Sequence, residues 1–440
     1  MIKGGLEAFS GKRMLLLQGP VGPFFRRLAR DLRNVGAEVF KVNFNAGDWL
    51  FYPKDALNYR GGMERWPAEI ECLLKRLRID LLMLFGDCRP VHRIAHAAAS
   101  RLGIEIGVFE EGYIRPNYVT LERDGVNGYS LLSNEFHRHI QSAPVEVPEE
   151  RQVGKTFWPM VLWGFLYFTA GGLGFLFFPH YRHHRPLSVL EALPWIRSVW
   201  RKYWYAIREK GVLDELTERW HKRYYLVPLQ VHNDAQITEH SGFGDIESFI
   251  TAVISSFARH APKGTVLVFK HHPMDRGYQD YSALIRQSSE RERIGSRVYY
   301  LHDQHLPTLL KHALGVTVIN STVGLSAVHH GVPTKVCGSA IYDREGLTSR
   351  KSLGEFWKYA KTEKPDPVMY NRFRAHLIVS TQLNGSFYKL LTHTGLRCGL
   401  LWSSRPSLSA SGWIERDLYP LVVDTAATAL IEIEEDASVM

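Results

Sequence analysis

Short apolar runs alternate with helical repeats in the first third of the chain. Four runs have the pattern of buried strands: MLLLQG (14–19), VFKVNFN (39–45), LLMLFG (81–86) and IEIGVFEEG (104–112). The stretches between them carry apolar residues at helical spacing: FFRRLARDLRNVG (24–36), residues 67–77 and RIAHAAASRLG (93–103). This order predicts a parallel sheet with helices on both faces.

The same alternation returns after residue 224. Strands are predicted at YYLVPLQV (224–231), TVLVFK (265–270), VYYLH (298–302) and VTVIN (316–320), with helices between and after them. Two Rossmann-like halves are common among nucleotide-sugar glycosyltransferases, whose substrates bind in a cleft between the domains. We therefore predict an α/β chain with four parts: an N-terminal Rossmann-like domain (1–150), a middle segment (151–210), a C-terminal Rossmann-like domain (211–390) and a C-terminal extension (391–440).

Composition narrows the class of protein. The 440 residues are 45% hydrophobic and 22% charged, which is typical of a folded globular chain. The formal net charge of +9 indicates an anionic partner: nucleic acid, an acidic substrate or an acidic membrane surface. No nucleic-acid motif is present, and the aromatic residues concentrate in an apolar segment instead of alternating with a basic stripe. We therefore expect no nucleic-acid partner.

Two further patterns concern the compartment. The four cysteines lie far apart without a CxxC pair, so neither a zinc site nor a disulfide framework is predicted. The apolar run near the N-terminus is only MLLL, which is shorter than the roughly 7 to 15 residues of a secretory signal. A reducing cytoplasmic location is expected.

The motif KHHP directly follows a predicted strand. Lys270, His272 and Pro273 thus lie at the carboxyl edge of the sheet, where open α/β sheets bind ligands. Three interpretations remain open: an anion or nucleotide contact, which we favour, a structural turn, or a metal site. Adjacent residues on an extended chain point to opposite sides, which argues against two histidines sharing one metal.

The motif INST has the same placement at the end of another strand. Asn320, Ser321 and Thr322 precede a helix, and amides at a helix start together with two hydroxyls suit a phosphate. The alternative is that Ser321 or Thr322 serves only as a helix cap.

Acidic residues follow strands in both halves. Asp234, after Asn233, is a candidate nucleophile or general base, although an Asn-Asp pair is also an ordinary turn. Glu110 and Glu111 follow the last clear strand of the first half, with Arg115 nearby. Adjacent glutamates are usually solvated, but this pair is predicted at the cleft edge.

Gln18 begins LQGPVGPFF (17–25), which follows the first strand. This stretch has too few suitably placed glycines for a dinucleotide fingerprint or a P-loop. We interpret it as a tight turn whose amides face the acceptor substrate of a transfer reaction.

Together, the stretches LQGPVGPFF, VNFNAGD, FGDCRPVH, FEEGYIRP, QVHNDAQI, KHHPMDRG, INSTVGLSA and YDREGLT closely resemble the KpsS/LipB capsular polysaccharide proteins of Gram-negative bacteria. The matching motifs run in order from about residue 13 to about residue 390, and the last 50 residues have no recognised counterpart.

The resemblance implies a retaining β-Kdo transferase of GT-B type, with two domains facing a cleft. It would transfer Kdo from CMP-β-Kdo to a (lyso)phosphatidylglycerol acceptor at the cytoplasmic face of the inner membrane, starting the poly-Kdo linker of a capsule. The donor would be CMP-Kdo, with no metal and no other cofactor. A KpsC-like transferase and the capsule export transporter are implied partners. The competing interpretation is a non-catalytic coupling factor of capsule export.

The resemblance also implies roles for individual residues. Asp234 matches the aspartate that acts catalytically in this lineage. His272 with Pro273 matches a CMP-contacting motif, and Ser321 with Thr322 matches a phosphate-side motif. Glu110 and Glu111 take the place of the acidic pair of the related enzymes.

The apolar segment FWPMVLWGFLYFTAGGLGFLFF (157–178) holds no charge. As one helix it would be roughly 33 Å long, enough to cross a bilayer core. Pro159 and the Gly171-Gly172 pair are expected to break that helix. The flanks PHYRHHRP (179–186) and VWRKYW (199–204) mix cations with aromatic rings, a pattern suited to acidic headgroups.

A crossing at this segment would separate Glu110 from Asp234, which the predicted cleft brings together. We therefore favour contact with the membrane surface, where the segment would meet the lipid acceptor. Helices buried between the domains and a true span remain alternatives.

Overall fold

The structure is a computed structural model that describes residues 5–132, 147–181 and 192–402. Contacts divide this part of the chain into two units. The first unit contains residues 5–181 and 373–402, and the second contains residues 192–372. The predicted C-terminal extension (391–440) lies outside the described residues from residue 403 onward.

The first unit is built on a seven-stranded sheet with the order β12-β6-β5-β4-β1-β2-β3. Its strands are β1 (Arg13–Leu16), β2 (Glu38–Asn43), β3 (Leu57–Asn58), β4 (Leu81–Phe85), β5 (Glu105–Glu111), β6 (Tyr118–Arg123) and β12 (Gln382–Asn384). The strands from β5 to β3 pair in parallel, whereas β6 is antiparallel to both β5 and β12.

Among the described residues up to 181 this unit has five α-helices, of which the first and the third pack on opposite faces of the sheet. The five helices are α1 (Phe24–Asn34), α2 (Ala46–Phe51), α3 (Trp66–Arg76), α4 (Pro90–Arg101) and α5 (Phe157–Leu173). Alternate residues of β1 point to opposite faces, as the pleat of a strand requires. Met14 packs in the same core cluster as Phe24 of α1, and Leu15 packs in the cluster that holds Trp66 of α3.

The second unit has a five-stranded sheet with the order β11-β10-β7-β8-β9, and every strand pair is parallel. Its strands are β7 (Tyr224–Pro228), β8 (Val266–Lys270), β9 (Val298–Leu301), β10 (Gly315–Val318) and β11 (Thr334–Val336). Its helices are α6 (Ala192–Arg208), α7 (Val212–Glu218), α8 (Ala235–His240), α9 (Ile246–His260), α10 (Ser282–Arg291), α11 (Leu306–His312), α12 (Thr322–His329) and α13 (Leu353–Tyr359). Helix α14 (Pro367–Thr381) begins in the second unit and ends in the first.

The core of this unit follows the same alternation. Tyr225 of β7 packs with Phe257 of α9 and Trp357 of α13 on one face. Tyr224, the preceding residue, donates its hydroxyl hydrogen to the carbonyl of Leu309 in α11 on the other face. Both sheets confirm the predicted mixed α/β class with parallel strands, while the GT-B arrangement stays a prediction.

The described part of the second unit ends at residue 372, earlier than the predicted end of the C-terminal domain at residue 390. We placed residues 211–390 in one domain, but β12 pairs with β6 of the first unit. The Gln382 side chain reinforces this pairing, because its carbonyl oxygen accepts a hydrogen bond from the Tyr113 amide. A strand of three residues has too little periodicity to be assigned from sequence, so only the fold brings it into the first sheet.

The apolar segment forms helix α5, which is not broken at Pro159 as predicted, and a short 3-10 helix (Phe175–Phe177) follows it. Pro159 is the third residue of the helix, where an amide hydrogen has no partner within the helix and proline is tolerated. The Gly171-Gly172 pair lies in the last turn, and the helix ends at Leu173. Among the described residues, none of the helices combines the length and the apolar character needed to cross a membrane.

Helix α5 packs on α2 through a narrow buried stripe of Gly164, Tyr167 and Gly171. The contact is close: a Cβ at Gly47 of α2 would lie 2.7 Å from the Tyr167 ring. The rest of the helix is mostly exposed, including 74% of Trp158 and 66% of Phe165. The segment is therefore attached to the first unit along one side and leaves large apolar side chains uncovered on others.

Candidate functional site

Three predicted motifs meet at one edge of the second sheet. Strands β10, β7 and β8 are neighbours and run in parallel, so their carboxyl ends lie side by side. Asn320 follows β10, Asp234 follows β7, and His272 follows β8. Sequence predicted this grouping, since carboxyl ends of parallel strands share an edge.

The Asp234 carboxylate accepts two hydrogen bonds. Its side chain caps α8 by accepting a hydrogen bond from the Gln236 amide at 3.0 Å. Gln230 donates its amide to the other carboxylate oxygen at 3.1 Å and also to the Asn320 side chain at 3.0 Å. Gln230 thus ties the loop after β7 to the loop after β10, and Asp234 is a cap as well as a catalytic candidate.

The loop after β8 is tied to the loop after β7. The fully buried Asp275 accepts a hydrogen bond from the His232 amide at 3.1 Å and pairs with the His232 ring. His272 accepts a hydrogen bond from the Met274 amide at 3.2 Å, and Pro273 begins a short 3-10 helix (Pro273–Asp275). The histidine side chain is thereby oriented by its own turn, with part of its surface still exposed.

Lys270 and His271 point into the protein. Lys270 is 6% exposed, and its ammonium donates to the His302 carbonyl at 3.2 Å. Burial lowers its pKa. His271 contacts the Tyr300 hydroxyl at 2.7 Å, and burial lowers its pKa to about 3. We predicted that Lys270 contacts the nucleotide-sugar donor directly. In the structure its side chain instead points toward the core and binds the His302 carbonyl.

Ser321 caps α12 by accepting a hydrogen bond from the Val323 amide at 3.2 Å. The Tyr342 hydroxyl donates to the Ser321 carbonyl. A Cβ at Gly324 would lie 2.2 Å from that hydroxyl, so the start of α12 depends on glycine there. Ser321 and Thr322 are both partly exposed. The capping role is therefore real, and it leaves the helix start accessible to an anion.

A second cluster lies at the edge of the first sheet, where the adjacent strands β1, β4 and β5 end. Gln18 follows β1 and Arg89 follows β4, and the Arg89 guanidinium donates to the Gln18 side-chain carbonyl at 3.0 Å. Glu110 is the second-to-last residue of β5. Its carboxylate lies close to Gly86, which follows β4: a Cβ on Gly86 would be 3.6 Å from it.

Glu110 and Glu111 have different surroundings. Burial raises the pKa of Glu110 to about 7, and the charges of Glu111 and Asp87 add to the effect. Glu111 instead accepts a hydrogen bond from the Tyr388 hydroxyl at 2.7 Å. A carboxylate with a pKa near neutrality is suited to exchange a proton, which singles out Glu110 of the pair.

Gln18 connects this edge to helix α5. Its amide donates to the Tyr167 hydroxyl of α5 at 3.0 Å and to the Tyr181 hydroxyl at 2.8 Å. Tyr167 donates in turn to Asp48 of α2 at 3.1 Å. The apolar helix is therefore joined to the turn after β1 by a buried polar network.

Two predicted residues take little part in these networks. Arg115 is exposed, and its Nε donates to the Gly112 carbonyl at 3.2 Å. Asn233 is exposed as well. Their predicted secondary roles stay predictions.

The structure adds residues that the sequence reasoning did not assign. These are Asp48, Arg89, Tyr167, Gln230, Asp275 and Tyr388. Arg89, Gln230 and Asp275 lie inside motifs that carry the resemblance, and that was the available signal. Tyr388 reaches Glu111 from 277 positions away, a contact that no local pattern indicates.

In the described part of the chain, neither a groove in the first unit nor the distribution of possible metal ligands adds a site to these two clusters. A groove of about 530 Å³ lies beside β2 and is lined by residues such as Phe40 and Leu73, and none of the candidate residues lines it. Within residues 5–132, 147–181 and 192–402, no three His, Cys, Asp or Glu side chains are grouped so as to hold a metal ion.

Comparisons with known proteins agree with the motifs. A family model described as "Capsule polysaccharide biosynthesis protein" matches residues 80–388. The capsule polysaccharide export protein KpsS of Escherichia coli is 40% identical over 389 residues, which cover 86% of this chain and 97% of KpsS. The capsule polysaccharide modification protein LipB of Neisseria meningitidis serogroup A is 38% identical over 388 residues, covering 86% of this chain and 92% of LipB.

Solved structures show a weaker likeness. The β Kdo 2,4 transferase of Thermosulfurimonas dismutans KpsC is 13% identical, with a TM-score of 0.38 over 86% of this chain and 94% of that chain. The β Kdo 2,7 transferase of the same KpsC is 15% identical, with a TM-score of 0.36 over 79% and 90%. Since both TM-scores lie below 0.5, we infer nothing from this likeness. The family model and the curated relatives are sufficient, and they establish that the chain belongs to the capsule polysaccharide biosynthesis protein family.

Proposed function

We propose that the protein is a glycosyltransferase that transfers Kdo from CMP-β-Kdo, with retention, to a phosphatidylglycerol-type lipid. The observation that carries the proposal is the edge of the second sheet, where Asp234, His272 and the start of α12 follow three adjacent strands. Such an edge suits a nucleotide sugar, because an anionic leaving group and a reacting carbon need a helix start and a carboxylate close together.

In the proposed reaction the carboxylate of Asp234 attacks the anomeric carbon of Kdo. The bond from that carbon to the CMP phosphate breaks, and its electron pair leaves with CMP. The start of α12, with Ser321 and Thr322, and the ring of His272 offset the charge on the departing phosphate. An acceptor hydroxyl then displaces Asp234, and two inversions give net retention.

We assign the proton of the acceptor hydroxyl to Glu110. Its pKa of about 7 allows a large fraction of the carboxylate to be ionised near neutral pH, so that it can accept a proton. Glu111 is occupied by Tyr388 and would position that residue instead. Arg89 supplies a positive charge on the same edge and is suited to an acceptor phosphate.

The exposed apolar surface of helix α5 is our reason for proposing a lipid as the acceptor. The helix leaves Trp158 and Phe165 exposed and connects through Tyr167 to Gln18 on the acceptor-side edge. In our proposal it lies on the cytoplasmic surface of the inner membrane and meets the acceptor there. No metal or further cofactor is required, since fixed hydrogen-bond donors act on the leaving group.

The test is mass spectrometry of the product that the full-length protein forms from CMP-Kdo and phosphatidylglycerol vesicles. We expect a product carrying one added Kdo, and Asp234→Asn is expected to abolish it. Asp214→Ala, an exposed acidic residue of the second unit, is the matched control and is expected to keep activity. If the unchanged protein does not consume CMP-Kdo, a coupling factor of capsule export would be favoured instead. Undiminished activity of Asp234→Asn would contradict the proposed role of Asp234.

A further inference from the structure

Helix α6 (Ala192–Arg208) is amphipathic with the polar side turned inward. One stripe faces the protein: Pro194, Ser198, Arg201 and Tyr205, with Glu209 continuing it just past the helix end. Arg201 is 8% exposed, and Glu209 is buried too. A surface helix of a soluble protein normally buries its apolar face, so this orientation needs a cause.

The outward side is apolar and aromatic. Trp200 is 62% exposed and Ile207 is 74% exposed. The other large exposed side chains of this face are Leu193, Ile196, Val199, Tyr203 and Trp204. Trp200 and Trp204 stack on each other with ring centroids 5.8 Å apart. Such a surface is costly in water and calls for a covering partner.

The charge of the helix identifies that partner. Residues 192–208 contain Arg197, Arg201, Lys202 and Arg208 and no aspartate or glutamate. Arg197, Lys202 and Arg208 are exposed beside the aromatic rings. Tryptophan and tyrosine interleaved with cations are typical of a helix lying in the interface of an anionic bilayer.

The inward stripe holds the loop after β8. The Arg201 guanidinium donates to the carbonyl of Arg276 at 2.7 Å and to that of Gln279 at 3.3 Å. Arg276 returns a hydrogen bond to the Ser198 carbonyl at 3.0 Å. A Cβ at Gly277 would lie 2.1 Å from the Pro194 carbonyl oxygen, so the loop passes directly against the helix.

The same stripe holds the loop after β9. Tyr205 stacks on the His302 ring with centroids 3.4 Å apart and an angle of 6° between the planes. Glu209 accepts hydrogen bonds from the His302 amide at 3.0 Å and from its ring nitrogen at 2.7 Å. The carbonyl of His302 in turn accepts from Lys270 at the end of β8.

We propose that α6 docks onto an anionic lipid surface and that this docking positions the loops 272–280 and 302–304, so that membrane contact and nucleotide binding favour each other. The inference rests on the proposed function, which places the donor at this edge of the second unit. Arg201 and Tyr205 act as positioning residues, because they contact the loops and not the donor. A rigid helix with one face in the lipid and the other on the loops supplies the physical connection.

The first experiment measures vesicle binding of the full-length protein by sedimentation with phosphatidylcholine vesicles that contain phosphatidylglycerol. Replacing Trp200 and Trp204 by serine together is expected to weaken binding about tenfold or more, because two interfacial aromatic rings are lost. The matched control replaces Tyr359 and Val368, which are exposed elsewhere on the same unit, and is expected to bind as before. Unchanged vesicle binding by the tryptophan variant, or a change only in its oligomeric state, would overturn the inference.

The second experiment measures the CMP dissociation constant with and without these vesicles. Vesicles are expected to tighten CMP binding about fivefold, a typical coupling between two sites. Arg201→Met is expected to keep vesicle binding but to lose this response, and Tyr205→Leu gives an independent test if Arg201→Met does not fold. CMP binding that ignores vesicles in the unchanged protein would overturn the inference alone. Absence of CMP binding under all conditions would overturn the proposed donor site and this inference with it.

Discussion

The buried carboxylate of Asp275 accepts a hydrogen bond from the backbone amide of His232 and pairs with its ring, which joins the loop after β8 to the loop after β7. Asp275 has no exposed surface, whereas His232 is partly exposed. The two candidate residues next to this link, Asp234 and His272, therefore take their positions from a pair that need not contact the substrate itself.

Asp275→Ala is expected to lower both stability and CMP affinity. The change leaves the His232 amide without its acceptor and should reduce the free energy of unfolding by about 2 kcal/mol. CMP binding should weaken because the two loops are no longer joined. Urea unfolding and CMP titration measure the two effects. A variant that loses stability but binds CMP normally would show that the link serves the fold alone.

Asp234 can be separated into its capping and chemical roles. Asn is as good a helix cap as Asp and keeps an acceptor for the Gln236 amide, so Asp234→Asn should keep the cap and CMP binding but lose transfer. It also loses the hydrogen bond from the Gln230 amide, which should cost about 1 kcal/mol of stability in either variant. Asp234→Ala should also lose about 1 kcal/mol of stability, because the cap is removed. Thermal unfolding and product formation distinguish the two variants. Equal activity in both and in the unchanged protein would rule out a nucleophile at this position.

Ser321 can be tested against another helix cap of the same unit. Ser321→Asp keeps a capping oxygen but places a negative charge at the proposed phosphate site, so CMP affinity should fall about tenfold or more while stability is maintained. Ser352 caps α13 within a capping box with Glu355, and Ser352→Ala should cost about 1 kcal/mol without changing CMP affinity. Unaltered CMP affinity in Ser321→Asp would move the phosphate away from α12.

Glu110 predicts a pH dependence of activity. Its folded pKa of about 7 lies above the ordinary value of 4.5, so the base is lost as the pH falls below about 7. The rate at limiting substrate should decline on this acidic side. The rate of Glu110→Gln should be low and should lack that decline. An acidic limb that persists in Glu110→Gln would assign it to another group.

The same pKa shift predicts the sign of a stability change. The folded protein holds the Glu110 proton more tightly than the unfolded chain does, so its contribution is present below about pH 4.5 and is lost as the pH rises to about 7. Glu110→Gln should therefore raise the free energy of unfolding by about 2 kcal/mol at pH 8 and change it little at pH 4. Urea unfolding at the two pH values measures the difference, and an equal effect at both would contradict it.

Helix α5 should respond differently on its two sides. Tyr167→Phe removes the hydroxyl that contacts Gln18 and Asp48 and should cost about 1 to 3 kcal/mol of stability. Phe165→Ser removes an exposed ring, so it should leave stability nearly unchanged but weaken vesicle binding. Thermal unfolding and vesicle sedimentation measure the two properties. A Phe165→Ser variant that binds vesicles normally would favour a protein partner on this face.

The elements with clear periodicity were predictable from the sequence. The runs around Leu82 and Val268 are continuously apolar, as buried parallel strands require, and both form central strands. Strand β12 was not predictable, since a three-residue strand depends on a partner more than 250 positions earlier. Helix α5 was misjudged at Pro159, because a proline in the first turn of a helix costs little.

The candidate site was partly predictable for the same reason. Asp234, His272 and Ser321 each follow a strand, and the parallel order of β10, β7 and β8 places them at one edge. The inward turn of Lys270 and the different surroundings of Glu110 and Glu111 depend on side-chain neighbours from distant segments. A local pattern holds no information about those neighbours.

Strand β12 is synthesised after the whole second unit, which has a consequence for folding on the ribosome. The second unit is an uninterrupted stretch, residues 192–372, inserted between the two parts of the first unit. The ribosome thus delivers the whole second unit before it delivers β12, which the sheet of the first unit needs at its β6 edge. Until then β6 offers an unpaired edge to other chains. The second unit is therefore complete as a chain while the first sheet still lacks its last strand.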